Sequence, residues 1–171
     1  LGCFPLSHAA TTSRELGRLR MKDLLYRRNV AIILRRSDGC VLVCERADYP
    51  GSWQFPQGGI DKGETDAEAL EREVREEVSL TTDYYNVVEH RGPYRYTFPK
   101  GVKKHGCDGQ EQVYFLADLI KPCEDVLKPD KKEFRDCKWI QPEKFHLAWA
   151  GEMKRDVYVE VFRDFFSVAL D

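Results

Sequence analysis

Residues 58–80 read GGIDKGETDAEALEREVREEVSL, a glycine-studded loop that runs into a helix. Thr65 with Glu68 three residues on has the pattern of a capping box, which satisfies exposed backbone donors at a helix start. Beyond it, Ala67, Leu70, Val74 and Val78 recur at helical spacing and predict an apolar stripe that packs on a sheet. Glu73, Glu76 and Glu77 sit three and four residues apart, so a helix gathers them on one side, a turn apart. Carboxylates so grouped are oxygen donors suited to a hard divalent cation. They are equally compatible with a solvated face, because like-charge pairs at this spacing cost only about 0.2–0.5 kcal/mol each. The loop in front separates the two readings.

Upstream, residues 53–56 (WQFP) read as a short extended segment stopped by proline. Residues 29–34 are apolar and β-branched, 40–44 repeat that character, and Ser37-Asp38-Gly39 between them predicts a β-hairpin. Downstream, 84–91 and 94–98 read as two strands joined at Gly92-Pro93, and 100–108 as a basic loop. Residues 110–119, with Val113, Phe115, Ala117 and Leu119 alternating, are the strongest later strand, and 134–140 the last one. A helix is expected over 152–170, with Val157, Val161, Phe165 and Val168 along one stripe and Phe162 and Phe166 beside it. Mostly strands, two substantial helices and no repeat predict an α/β fold, a mixed β-sheet sandwiched between helices.

The chain has 171 residues, 33% charged and 42% hydrophobic, as expected of a globular domain with a short extension. No run of 18 apolar residues occurs, so no membrane-crossing helix is expected. The net charge of −2 is unevenly spread: up to Arg36 there are eight basic residues against Glu15 and Asp23. That asymmetry suits a protein that holds a cation in one place and a polyanion nearby. Residues 1–24 form a basic extension whose Ser, Thr, Ala and Arg content is that of a mitochondrial transit-peptide remnant or of a flexible basic arm, and 25–171 the folded domain. A mitochondrial location is expected from the first reading and a cytoplasmic one otherwise. Cys3, Cys40, Cys44, Cys107, Cys123 and Cys137 show no zinc spacing, and we expect a reducing compartment without structural disulfides. The four histidines are scattered.

Gly58, five residues, Glu64, seven residues, then Arg72-Glu73-Val74-x-Glu76-Glu77 resembles the signature of the Nudix hydrolases, with Ser79 where the family has glycine and Leu80 as the closing aliphatic. The resemblance implies a Nudix fold and a pyrophosphohydrolase that uses Mg²⁺ or Mn²⁺. Glu73, Glu76, Glu77 and Gly58 are then the metal site, Glu76 or Glu77 takes the proton of the attacking water, and Glu64 and Arg72 brace the loop on the helix. Serine at 79 makes a left-handed helix end less comfortable than glycine does. Tyr26-Arg27-Arg28-Asn29-Val30, residues 52–60 (SWQFPQGGI), 109–116 (GQEQVYFL) and 154–158 (KRDVY) are similar to the bacterial RNA 5′-pyrophosphohydrolases and plant-type diadenosine tetraphosphate hydrolases.

That branch implies phosphate contacts for Arg27 and Arg46, a place beside the RNA 5′ end for Lys154, and substrate-facing Gln57, Gln110 and Gln112. Met153 stands where the bacterial enzymes stack a base on phenylalanine. A fourth metal-side carboxylate is expected before the final strand, at Asp125 or Glu124. The implied activity is removal of pyrophosphate or phosphate from a 5′-phosphorylated RNA end, with a dinucleoside polyphosphate as the alternative substrate. A weakly active RNA- or nucleotide-binding subunit, working with an RNA-binding protein partner, is the reading from another class.

Overall fold

A computed structural model describes residues 24–171. The basic extension, and with it the transit-peptide reading and the location and partner expected from it, lies outside the described residues. Seven strands, β1 Tyr26–Arg35, β2 Val41–Arg46, β3 Trp53–Gln54, β4 Gln57–Gly59, β5 Tyr85–Thr97, β6 Gly109–Leu119 and β7 Phe134–Ile140, form one mixed sheet. Helix α1 spans Asp66–Val78 and helix α2 Arg155–Phe166.

The centre of the sheet is a parallel pair, β1 with β6, in register from Tyr26↔Gly109 to Arg35↔Asp118. The expected hairpin exists only at its root, Arg35↔Val41, because beyond it that edge of β1 pairs with β4 and the facing edge of β2 with β3, while β7 runs along the opposite edge of β2. The two strands expected over 84–98 are one strand, β5, since β6 pairs with it on both sides of the cis Gly92-Pro93 bond and the register shifts there.

Two cores result, one on each face. Val30, Ile32, Leu34, Phe115 and Ala117 point to α1, and Ala31, Ile33, Tyr114 and Leu116 to α2. This alternation along buried strands gives the α/β/α layering. Phe55 stacks on Tyr158 at 5.7 Å, Phe145 stacks on Tyr158 as well at 5.2 Å, and Tyr158 Oη accepts from the Phe55 amide at 3.1 Å. Such pairs add about 0.5–1.5 kcal/mol beyond burial, and here they tie α2 to the segment that leads into β4.

Helix α1 starts as its sequence predicts, with both halves of the Thr65–Glu68 capping box present. It ends on Ser79 at φ 63°, where the backbone amide bonds Arg75 O and Oγ donates to Lys128 O at 3.0 Å. That hydroxyl bond offsets part of the strain glycine would have avoided. The buried stripe is shifted from the expected one: Ala69 is buried and Ala67 exposed. Ala69 leads the row 69–73–77, so Glu73 and Glu77 lie on a row that faces the sheet, and only Glu76 lies outside it.

The expectation of no structural disulfide is also overturned. Cys44 and Cys137 are directly opposite on β2 and β7, with Cα atoms 4.1 Å apart, and form a disulfide. Nothing in the local sequence marks it, because the pairing joins positions 93 residues apart.

Candidate active site

A cavity of about 310 Å³ opens at the end of the sheet where β1, β4 and β6 meet α1 and the start of α2. Its acidic side carries Glu77 and Glu133 beside Gly58, its basic side Arg27, Arg46 and Lys154, and its rim Lys104, His105, Phe98 and Met153. Register explains the grouping: Gly59, Asn29 and Gln112 form one row across β4, β1 and β6, and Arg27 and Gln110 the next.

Arg72 is the brace of the acidic side. Its Nε and Nη2 donate to the two oxygens of Glu64 at 2.8 and 2.9 Å, Nη2 also donates to Gly59 O at 2.9 Å, and Nη1 donates to Glu73 at 2.6 Å. The guanidinium holds the Glu64 carboxyl at about 2, assisted by the Asp61 amide. One arginine thus fixes loop, strand and helix together, the geometry planar bidentate pairing favours.

The three box carboxylates differ sharply. Glu77 is 6% exposed and accepts from the Gln57 amide at 2.8 Å. Burial pushes its carboxyl up to about 8, the Gln57 bond opposes the rise, and Glu73 and Glu133 add to it. Burial likewise raises Glu73, against the pull of Arg72. Glu76 is exposed, 3.6 Å from Arg72 Nη1, and does not line the cavity. Among the described residues no three acidic, histidine or cysteine side chains converge closely enough to hold an ion as they stand. Carboxylates facing one another across a low-dielectric wall repel, and Arg72 takes one oxygen of Glu73.

The donor set nevertheless fits a hard divalent ion. Glu73, Glu77, Glu133 and the Gly58 carbonyl are all oxygens, and a Cβ at Gly58 would overlap the Glu73 carboxyl carbon and both its oxygens. Gly58 and Gly59 both have ordinary strand φ, so their role is close approach; of the loop glycines, Gly63 at φ 88° is the one that serves a turn.

The expected fourth carboxylate is misplaced. Asp125 sits in an exposed turn away from the cavity, and Glu124 lines a separate surface pocket with Arg36 and Lys121. The chain is docked afterwards, where the Lys128 amide bonds Val78 O and the Asp130 amide bonds Glu77 O at 2.8 Å. Three residues past that anchor, Glu133 reaches the cavity. Its signal was its position immediately before Phe134, the first residue of β7.

On the basic side, Arg46 is held by Asp48 through two bonds at 2.8 and 2.6 Å, and Asp48 shares the lining. Gln112 is fully buried and donates to Gln57 Oε1 at 2.7 Å, while Gln110 bonds Tyr96 Oη. Gln112 therefore supports Gln57. Met153 is 40% exposed at the rim. Gln54, Asn29, Asp48, Tyr96, Lys104 and His105 also line the cavity, and sequence reasoning did not single them out as site residues.

Lys154 is 8% exposed, with Nζ 3.3 Å from Gln54 Oε1. Burial, reinforced by Arg46 and opposed by Glu77, pushes its ammonium down to about 7. The unfolded chain therefore binds a proton that the folded one releases between about pH 7 and 10.5, and this residue's contribution to stability rises with pH over that window. We expect the unfolding free energy of the wild type, relative to Lys154→Met, to increase from pH 7 to 9.5 in urea titrations. A flat difference contradicts the placement.

A family model for the NUDIX domain matches residues 25–161. The chain belongs to the Nudix family. Within it, the RNA pyrophosphohydrolase of a Nitratiruptor species is 39% identical over 152 residues, covering 85% of this chain and 96% of that protein. The RNA pyrophosphohydrolase of Erythrobacter litoralis is 36% identical over 157 residues, covering 86% and 94%. Among solved structures, a C. elegans Ap4A hydrolase binary complex superposes with TM-score 0.60 at 21% identity, covering 82% of this chain and 98% of that one. E. coli dihydroneopterin triphosphate pyrophosphohydrolase does so with TM-score 0.60 at 19% identity, covering 81% and 97%. These superpositions establish the Nudix fold, with the mixed sheet between helices.

Proposed function

We propose that this Nudix protein is a metal-dependent RNA 5′-pyrophosphohydrolase. The observation that carries the reading is the cavity itself, where the buried Glu77 of α1 and Glu133 before β7 face Arg27, Arg46 and Lys154 across about 310 Å³. A polyphosphate is anionic along its whole length and satisfies the basic side while its reacting phosphorus meets the acidic side. Near-full-length similarity to proteins described as RNA pyrophosphohydrolases supports RNA as the group that carries it.

Glu73, Glu76, Glu77, Glu133 and the Gly58 carbonyl would hold Mg²⁺ or Mn²⁺, which supplies positive charge to phosphate oxygens and makes water more acidic. The chain's own groups do the rest. Arg27 and Arg46 align the phosphates, Arg46 exchanging Asp48 for substrate oxygen. Lys154, poised near neutrality, takes up a proton as the polyanion enters. Water oxygen forms a bond to phosphorus, the bridging P–O bond breaks toward the departing pyrophosphate or phosphate, and the water proton passes to a carboxylate. Glu77, the box carboxylate that lines the cavity, is the one placed to take it.

Competing 5′-triphosphorylated RNA against diadenosine tetraphosphate in one reaction measures the ratio of kcat/KM directly. The RNA reading expects the RNA to be consumed first. Preferential loss of the dinucleotide replaces it with the alternative substrate. Tight metal-independent binding without turnover replaces it with a binding subunit.

A further inference from the structure

Gly59 lies in β4 opposite Asn29 of β1, with ordinary extended backbone. Its missing side chain leaves space that another residue fills. A Cβ at this position would stand 2.5 Å from Arg27 Cζ and 2.8 Å from Arg27 Nε, and closer still to Nη2. The Arg27 guanidinium is therefore laid across the bare face of Gly59, although Arg27's own backbone partner is Gln110 on the opposite side of β1. Among the described residues Arg27 has no ion-pair partner, whereas Arg46 is clamped by Asp48. Packing against β4 is what sets where the Arg27 charge rests.

We propose that Gly59 is a positioning residue that sets the place of the Arg27 guanidinium, and so of the phosphate that Arg27 receives. The two adjacent glycines then serve opposite faces of one strand. Gly58 admits the Glu73 carboxylate from the α1 side, and Gly59 admits Arg27 from the other. Strand β4 is fixed to α1 by Arg72 on Gly59 O and by the Gln57 amide on Glu77. Its three residues thereby set the distance between the carboxylates that surround the reacting phosphorus and the arginine that holds the phosphate chain. A side chain at 59 changes that spacing without touching the carboxylates.

The inference rests on the phosphate role given to Arg27 above. Its test is a double-mutant cycle on 5′-triphosphorylated RNA. Gly59→Ala asks only the flexible end of Arg27 to move, so its circular dichroism and thermal midpoint should match the wild type. We expect KM to rise about tenfold, the loss that goes with one misplaced charge-assisted bond, with kcat within about threefold. Arg27→Ala should raise KM at least as much, and Gly59→Ala combined with Arg27→Ala should be no worse than Arg27→Ala alone. A wild-type KM in Gly59→Ala, a loss confined to kcat, or losses that multiply in the double variant each overturn the proposal. A wild type that fails to hydrolyse the RNA refutes the proposed function instead, so the two failures are distinct.

Discussion

Replacing Glu77 by glutamine is expected to lower kcat on triphosphorylated RNA by about 10³-fold or more, the scale on which a metal-held, charge-stabilising group acts. Glutamine keeps the length of the side chain and leaves an oxygen to accept from the Gln57 amide, so the structure tolerates it. What disappears is the charge at the most buried point of the acidic side, between Glu73 and Glu133. The variant should also be no less stable than the wild type without metal. A carboxyl raised to about 8 costs the folded state stability progressively as pH climbs from its ordinary range toward that value, and the amide removes the penalty. Single-turnover pyrophosphate release together with a thermal melt checks both halves. Turnover within tenfold of wild type would remove Glu77 from the centre of the mechanism.

Gly58→Ala should be nearly as damaging, about 10²-fold or more in kcat/KM, for a steric reason. The methyl group would occupy the space of the Glu73 carboxylate, which is already held on its other side by Arg72 at 2.6 Å. The backbone at Gly58 has no left-handed φ that alanine would strain, so the fold survives while the carboxylate is expelled. Misplacing a reactive group by about 1 Å is enough to cost a factor of this size. Circular dichroism should be unchanged while the metal concentration needed for half-maximal activity rises. An active Gly58→Ala with unaltered metal dependence would contradict the packing described for Glu73.

How much of this was legible in the sequence follows from the range of the forces involved. The capping box is set within one turn of chain, and the local pattern carried it; the Arg72–Glu64 brace and the helix end at Ser79 were implied by the resemblance to the Nudix signature, and of the three glutamates grouped by helical spacing Glu76 turns to solvent. Helical spacing alone did not show which side of α1 is innermost. Leu70, Val74 and Val78 define one buried row, and only the docked helix reveals that Ala69, Glu73 and Glu77 form a second. Non-local register was hidden too. The parallel β1–β6 pair, the β2–β7 pair and the opposition of Cys44 to Cys137 join residues distant in the chain. Asp125 was the wrong acid for the same reason: the bond of the Asp130 amide to Glu77 O, which fixes where the connection meets the helix, has no local signature.

The most direct measurement is pyrophosphate and phosphate release from a short 5′-triphosphorylated RNA, followed with Mg²⁺ or Mn²⁺ and with a chelator, beside the same RNA carrying a 5′-monophosphate. The account predicts metal-dependent release that leaves a 5′-monophosphorylated product, and no reaction of the monophosphorylated strand. Release that persists in chelator, or a wild-type protein that leaves the triphosphate intact in either metal, would contradict it.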